Sequence, residues 1–331
     1  MNRSELPFPK TQREFYALFR NAEDCIAYLF KMRWPSGFHC PHCRGTKVWG
    51  NAAKPYVLVC AACGKDISLI AGTIMERTHT PLPIWFLGAF LMTTLKPGIS
   101  ALQFQQQAGL GRYETAFQIL HKLRAAMVAP ERSKLSGLIE CDETYIGGHE
   151  IGKPGRGAEK KALVAGAVEV VQGKDGPYAG RIRLELIATA DYVALSDFLV
   201  KNVARGTTVR TDGLAAYHGI NHDGFLHRPI VLGEPEMAHK VFPHIHRAFG
   251  NLKAWLLGTH HGVTKKHIQA YLDEYVFRFN RRFDSMHSFN TLLGLAADAE
   301  APTYEALYAA GEKDGQGASK TTTRRLGRRR R

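Results

Sequence analysis

Acidic residues are under-represented. Thirty Asp and Glu stand against 44 Lys and Arg in 331 residues, a formal net charge of +14. That surplus does not define a fold, but it favours a polyanionic partner, nucleic acid before an anionic membrane. Long apolar runs are also missing. The longest, "PIWFLGAFLMTTL" at 83–95, falls short of the ~20 residues that a membrane span needs. The N-terminal "MNRSELPFPKTQREF" lacks the apolar core of a secretion signal. The expectation is a soluble protein without a membrane partner, cytoplasmic and nucleoid-associated. Cysteine is scarce, with six in the chain. That is too few for a disulfide scaffold of this length, and a reducing compartment turns cysteine towards metal binding. What is plentiful is apolar residue, 45% against 22% charged, enough for a packed core and two or three domains.

Residues 11–33 carry Phe15, Leu18, Phe19, Cys25, Ile26, Leu29 and Phe30 at helical spacing, which predicts one or two amphipathic helices ended by Trp34-Pro35 and Gly37. Beyond 82, "PLPIWFLGAFLMTTL" reads as a buried helix. "GISALQFQQQAGLGRYETAFQILHKLRAAM" reads as two helices with Ser100 as N-cap, a turn at "AGLG" and a second helix from about Tyr113 to Met127. This is consistent with a helix-turn-helix and equally with a helical hairpin that binds nothing. In the first case Arg112, Lys122 and Arg124 are the candidate DNA contacts. From 138 the texture becomes α/β. Strands are expected at 138–146, 162–171, 181–189 and 207–212 and near "RPIVL", and helices at about 191–204, 243–257 and 264–282. Strands interleaved with helices in this way make a mixed sheet with helical cover. The tail from Gly311 is poor in apolar residues and ends in an arginine cluster, so disorder and sequence-independent phosphate binding are expected there.

The cysteines Cys40 and Cys43 in "CPHC", and Cys60 and Cys63 in "CAAC", form two C-x2-C pairs with sixteen residues between them. Two thiolates on one tight turn take two corners of a zinc tetrahedron, and a second turn closes it with no position left for water. Gly45 and Gly64 suit the turns. His39 and His42 flank the first pair, but four cysteines already complete the shell. Zinc here is structural. Cys25 and Cys141 sit in apolar patterns and read as core residues.

Asp142, in "LIECDETYIGG", stands behind a short apolar run, and Asp212 ends the β-branched "TTVRTD" before a glycine. A carboxylate so near a buried strand costs several kcal/mol unless it is paired, hydrated or bound to metal. If the two strands are neighbours, the two acids converge. A divalent cation with a taste for oxygen, Mg²⁺ or Mn²⁺, would relieve their repulsion. A third ligand is then required. Glu140, two residues before Asp142, shares its strand face and is either an accessory acid or an ion-pair partner. Glu143 points the other way. Glu234 and Glu236 are further candidates, in a loop.

The order of zinc ribbon, helical segment, "ECDETYIGG", "TDGLAAYH", "HRAFGNLKAWLLGTHHGV" and "YLDEYVFRFNRR" resembles that of zinc-ribbon insertion-sequence transposases of the DDE superfamily, over roughly residues 15–290. The resemblance implies an RNase H-like catalytic domain with Asp142 and Asp212 as the first two metal ligands. It also implies a third ligand about 35 residues beyond the second aspartate, with a basic residue seven further on. His246 lies 34 residues after Asp212, where the family has glutamate, and Lys253 follows seven later. Seven residues turn a helix by about 700°, so the two share a face. Asn251 is the rival ligand, about 140° around from His246. Lys253 is implied to hold a phosphate near the scissile bond, and is otherwise a solvated lysine. In "YVFRFNRRF", Arg278, Arg281 and Arg282 alternate with aromatics, which predicts aromatics to the core and arginines to the DNA backbone.

The expected architecture is a multidomain α/β protein. It comprises an N-terminal helical segment (1–36), a zinc ribbon (37–77), a helix-turn-helix-like domain (78–134), an RNase H-like mixed-sheet catalytic domain (135–295) and a C-terminal segment with a basic tail (296–331). The expected function is metal-dependent cleavage and transfer of DNA strands at element ends. The partners would be double-stranded element ends and target, and the protein would work as a homodimer or higher assembly. Two rivals stay open: a DNA-binding regulator with an inactive RNase H-like domain, and a metal-dependent nuclease without a joining step.

Overall fold

The computed structural model describes residues 3–51, 53–147, 161–231, 238–303 and 306–307. The arginine-rich tail and the loop acids Glu234 and Glu236 lie outside the described residues. Two short helices open the chain, α1 (Gln12–Leu18) and α2 (Ala22–Arg33). The side chains of Thr11 and Asn21 cap them by accepting the N–H groups of Glu14 and Asp24. Their apolar faces meet α3 (Leu82–Thr94) and α10 (Ser288–Asp298). Phe15, Phe19, Leu29, Phe86, Phe90 and Phe289 belong to one core. The helical segments read as separate from sequence therefore share a core with the far end of the chain. Periodicity reveals that a face must be buried, not which partner covers it. α3 is buried almost all round because helices reach it from several sides.

The zinc-ribbon sheet, β1 (Val48–Asn51), β2 (Lys54–Cys60) and β3 (Asp66–Ser68), is antiparallel in that order. After α3, Ser100 caps α4 (Ala101–Gln107) as expected, its hydroxyl accepting the Gln103 N–H at 3.2 Å. Gly109 takes the left-handed conformation (φ 62°) that the turn requires, and α5 runs Tyr113–Ala126. Only a narrow stripe of α5 meets solvent, with Tyr113 and Glu114 exposed and Thr115, Gln118 and Lys122 half-buried.

Arg124 corrects the sequence reading. It is 1% exposed and cannot reach a duplex; its Nε donates to Glu274 Oε2 at 2.8 Å, with Glu274 itself at 0%. Its guanidinium also lies 4.3 Å from the Tyr271 ring centre. The pair ties α5 to α9 (Ile268–Asn280), joining the helical part to the α/β part. Arg124→Ala is expected to lower stability by about 3–5 kcal/mol, because Glu274 is left buried with only Arg278, 3.6 Å away, to balance it. Arg124→Met with Glu274→Met should restore most of the loss. Denaturant melts of the three proteins check this, and a double variant as unstable as the single one would contradict it.

The α/β part is a five-stranded sheet in the order β6-β5-β4-β7-β8. Its strands are β4 (Leu138–Ile146), β5 (Ala162–Gly173), β6 (Gly176–Ile187), β7 (Thr208–Thr211) and β8 (Leu226–Pro229). β4, β5 and β6 form an antiparallel meander, while β7 runs parallel to β4 and β8 parallel to β7. Helix α6 (Tyr192–Asn202) covers one face, burying Leu195, Phe198 and Leu199 against Ile139, Cys141, Ala165 and Ala167. The other face carries α8 (Pro243–His260), entered through the short α7 (Ala238–Val241), and α9. Val164, Val168, Ile182 and Leu184 pack there against Ile245, Phe249, Leu252 and Leu272. This is a multidomain α/β architecture with the mixed, RNase H-like sheet that was expected. Among the described residues, no helix is long and apolar enough to cross a membrane.

Candidate active site

The β4–β7 register pairs Leu138 with Thr208, Ile139 with Val209 and Glu140 with Arg210. Carried two residues on, the same offset sets Asp212 beside Asp142. On the other side of β4, Asp142 is paired with Gly166 of β5. That glycine is a spatial requirement. A Cβ there would sit 2.7 Å from the Phe249 ring and 3.0 Å from Ile245 Cδ1. Its absence lets α8 lie close on β5, beside the strand that carries Asp142.

Glu140 fixes the helix from below. It is 1% exposed, and its Oε2 accepts the main-chain N–H groups of His244 and Ile245 at 2.9 and 3.0 Å. These are orphan donors of the first turn of α8, whose leading residue Pro243 has no N–H to offer. In the structure Glu140 is a helix cap, and among the described residues it forms no ion pair. The capped helix brings His246 Nε2 to 3.5 Å from Asp142 Oδ2, with the two side chains 32% and 20% exposed. Lys253, two turns along, is close enough to Asp142 for its charge to oppose that carboxyl's protonation. Lys161, at the start of β5, adds a second positive charge beside Lys253. Asn251 is exposed on the same helix.

The electrostatics are those of crowded acids. Burial, and then the charges of Glu143 and Asp212, push Asp142 up to about 7, against the Glu143 N–H bonded to its Oδ1 and the pull of Lys253. Asp212 Oδ1 accepts the Leu214 N–H at 3.1 Å, holding its carboxylate across the turn that "DGL" makes. In each aspartate Oδ1 is occupied by main chain, which leaves Oδ2 for a cation. Glu143 is engaged by the Tyr217 hydroxyl, which also lies 3.5 Å from Cys141 Sγ. Two carboxylates and an imidazole on adjacent elements are a donor set that a divalent ion suits. The trio is open: among the described residues, the only group of three or more such ligand atoms mutually within 4.8 Å is the four cysteines.

Arg112 and the Lys265–Lys266 pair are exposed. Lys122 is half-buried, its ammonium 6.0 Å from the Trp85 ring and its pKa lowered by desolvation. The arginines of α9 and its end are differently placed from the DNA-facing row expected. Arg278 donates to the carbonyls of Leu95 and Lys96 at 2.7 and 2.6 Å. Arg282 bonds the carbonyls of Ala179 and Gly180 and stacks on Phe279. Arg281 stacks on Phe277 at 3.9 Å and lines a cavity. His260 is held between the rings of Trp255 and Tyr271, and burial lowers its pKa to about 3.

In the ribbon, Cys40 Sγ lies 3.8 Å from Cys63 Sγ and Cys43 Sγ 3.6 Å from Cys60 Sγ. All four sulfurs are within 4.8 Å of one another. A zinc tetrahedron with Zn–S of about 2.3 Å has edges of about 3.8 Å, so the four thiolates fit structural zinc. Gly45 is demanded by space, since a Cβ would meet Ala62 Cβ at 2.9 Å. Gly64 takes a left-handed φ of 68°, which glycine adopts without strain, and Arg44 takes the same conformation at the matching position of the first knuckle. Cys25 and Cys141 are buried core residues.

Residues 134–280 match the family described as ISXO2-like transposase domain, and residues 20–66 match the transposase zinc-ribbon domain. The chain is also 28% identical over 269 residues to a protein in transposable element ISH50 of Halobacterium salinarum, itself described as uncharacterized. That alignment covers 76% of this chain and 88% of the relative.

Proposed function

We propose, for a chain that belongs to the zinc-ribbon insertion-sequence transposases and carries an ISXO2-like transposase domain, divalent-metal-dependent cleavage and transfer of DNA strands at the ends of its element. The observation that carries this reading is Asp142 with the charge of Asp212 acting on it and His246 at 3.5 Å from it on a helix capped by Glu140. The β4–β7 register carried two residues on would set the two acids side by side. Asp142, Asp212 and His246 would hold Mg²⁺ or Mn²⁺, and the ion supplies charge neutralisation and activation of the attacking oxygen for in-line displacement at phosphorus. The chain does the rest. Glu140 keeps α8, and with it His246 Nε2, against β4. Lys253 and Lys161 provide positive potential beside the acids, where a scissile phosphate would need it. Arg112 and the exposed tip of α5 would meet a duplex, with the zinc ribbon as a second binding module for element ends. Cutting two ends together requires a dimer or larger assembly on DNA.

The test is a supercoiled plasmid carrying both element ends, incubated with protein and Mg²⁺ or Mn²⁺ in the presence of target DNA. Element ends covalently joined to target support the reading. Cleavage without joining reduces it to a nuclease, and end binding by an inert wild type reduces it to a regulator. The imidazole is a softer ligand than carboxylate, so Mn²⁺ should support faster transfer than Mg²⁺, and His246→Glu should move the preference towards Mg²⁺. Wild-type rates in His246→Ala would remove that side chain from the site.

A further inference from the structure

A cavity of about 370 Å³ lies where the linker after α5 meets the edge strand β6 and the end of α9. Its walls carry Arg132, Ser133, Arg181, Arg183, Asn280 and Arg281. Local chain geometry brings the arginines together. The β5–β6 register slips between Val168 and Val170, so that β6 carries an extra residue opposite Glu169. Gly180 is required there, because a Cβ would meet Glu169 Cβ at 2.8 Å. Asn280 then takes both main-chain groups of Ile182, accepting its N–H at 2.7 Å and donating to its carbonyl at 3.2 Å.

The charges in this cavity do not balance. Glu169 is the carboxylate inside the cluster, and it is saturated: Oε1 accepts from Ser136 N and Arg181 Nη2, and Oε2 from Arg181 N and Nε. Asp273 acts on Arg132 from further along α9 and is bonded to Gln269. Arg183 is the most isolated. It is 4% exposed, and its guanidinium donates to the carbonyls of Ile182 and Ser133. Among the described residues, no carboxylate lies within 4.0 Å of it. Burial, with Arg132 and Arg181 adding repulsion, lowers Arg183 to about 10. Glu169 acts on Arg183 only at a distance, as a carboxylate already bonded to Arg181. A buried cation with no ion-pair partner of its own is costly, and an oxyanion with several acceptor oxygens is the ligand that planar guanidiniums match.

We propose that this cavity is a phosphoryl-anion site, held by Arg132, Arg183 and Arg281 and separate from the metal-binding acids. It is separate because the cavity sits at the outer edge strand β6, two strands from the β4 that carries Asp142, and none of its lining residues is one of those acids. The anion is either a backbone phosphate of DNA passing the β6 edge or a free phosphate compound. The proposal holds whether or not the chain cuts DNA.

The experiment compares the full chain with Arg132→Gln/Arg281→Gln, two side chains that are only partly buried. Inorganic pyrophosphate at constant ionic strength should raise the wild-type melting temperature by about 2–4 °C at ten or more times Kd. The double variant should lose that rise. Arg183→Met is the second probe, expected to abolish the rise as well while melting no lower than wild type in anion-free buffer. The slope of log affinity for duplex DNA against log salt then separates the two sources. A slope shallower by about one to two in the double variant assigns the site to DNA backbone, and an unchanged slope assigns it to free phosphate. No rise in wild type, an undiminished rise in the double variant, or a lower anion-free melt for Arg183→Met would each overturn the assignment. Strand transfer measured in parallel on Asp142→Asn keeps this outcome apart from that of the catalytic reading.

Discussion

Asp142→Asn is expected to cut metal-dependent strand cleavage by at least about 10³-fold, leave binding to element ends intact, and stabilise the metal-free protein at pH 8. The rate loss follows from removing one of two carboxylates that would hold the cation. Charge stabilisation by such an ion is worth several kcal/mol, and each ~1.4 kcal/mol is a factor of ten. The stability gain follows from the opposite side of the same arrangement. Burial and the neighbouring charges of Glu143 and Asp212 lift Asp142 to about 7 in the folded protein, whereas an unfolded aspartate titrates near ~3.9. Between those values the unfolded chain has released the proton and the fold still holds it. Stability is therefore full below the unfolded value and is lost as pH rises through the folded one. About three pH units at ~1.4 kcal/mol each give a penalty on the order of 4 kcal/mol at pH 8. Asparagine does not titrate and escapes it. Thermal melts from pH 4 to 8 without divalent metal should show the wild type falling towards high pH and Asp142→Asn flat by comparison. Added Mn²⁺ should close the gap by stabilising the wild type alone. A variant that melts below the metal-free wild type at pH 8, or one that cleaves at the wild-type rate, would contradict the assignment of Asp142.

Much of this site was visible in the chain before any fold was known. An acid ending a β-branched run and followed by glycine is unusual enough to mark Asp142 and Asp212. Their adjacency needed only that β4 and β7 be neighbours. Helix periodicity placed His246 and Lys253 on one face, and the structure has both near Asp142. What escaped was anything that depends on a partner distant in sequence. Glu140 caps a helix 104 residues away, and no local pattern around it distinguishes a cap from an ion pair. Arginines rarely bury, so the sequence presents Arg124 as a surface cation. A signal was nonetheless present: Leu120 and Met127, four residues before and three after, put Arg124 on the apolar stripe of its own helix. Glu274 likewise stands three residues from Tyr271 and from Phe277. The same error touched Arg278 and Arg282, whose guanidiniums bind main-chain carbonyls of the α3–α4 loop and of β6. Phe277 is buried as expected, whereas Phe283, beside Arg282, is 78% exposed, and the arginines are held partly against main chain. The start of β6 was missed because Gly176–Gly180 has no apolar alternation. Its pairing is carried by the backbone through the hairpin turn.

Removal of zinc is expected to unfold the ribbon while leaving the five-stranded sheet intact. The ribbon's own buried cluster consists of Phe38, Cys40, Cys60 and Ile67, with Phe30, Trp34 and Val48 against it, and two of those members are metal ligands. Three short strands with so small a core cannot offset the conformational entropy of roughly thirty ordered residues, at about 1–2 kcal/mol each for backbone alone. Structural zinc contributes about 10–16 kcal/mol in small fingers. A strong chelator, or Cys60→Ser, should therefore abolish hydrogen-exchange protection across β1–β3. It should also change the emission of Trp34, whose ring lies 5.1 Å from that of Phe38. Leu58 and Val59, paired to Ile67 and Asp66, report the loss of the ladder directly. Protection of β4, β5 and β7 should persist, because their cores contain no zinc ligand. Binding to element ends should weaken with the ribbon, whereas divalent-metal binding at Asp142 and Asp212 should not. If the chelated protein keeps its ribbon protection, the four sulfurs are held together by the fold itself and zinc is dispensable. If the sheet melts along with the ribbon, the two units are one cooperative structure joined through α2 and α3.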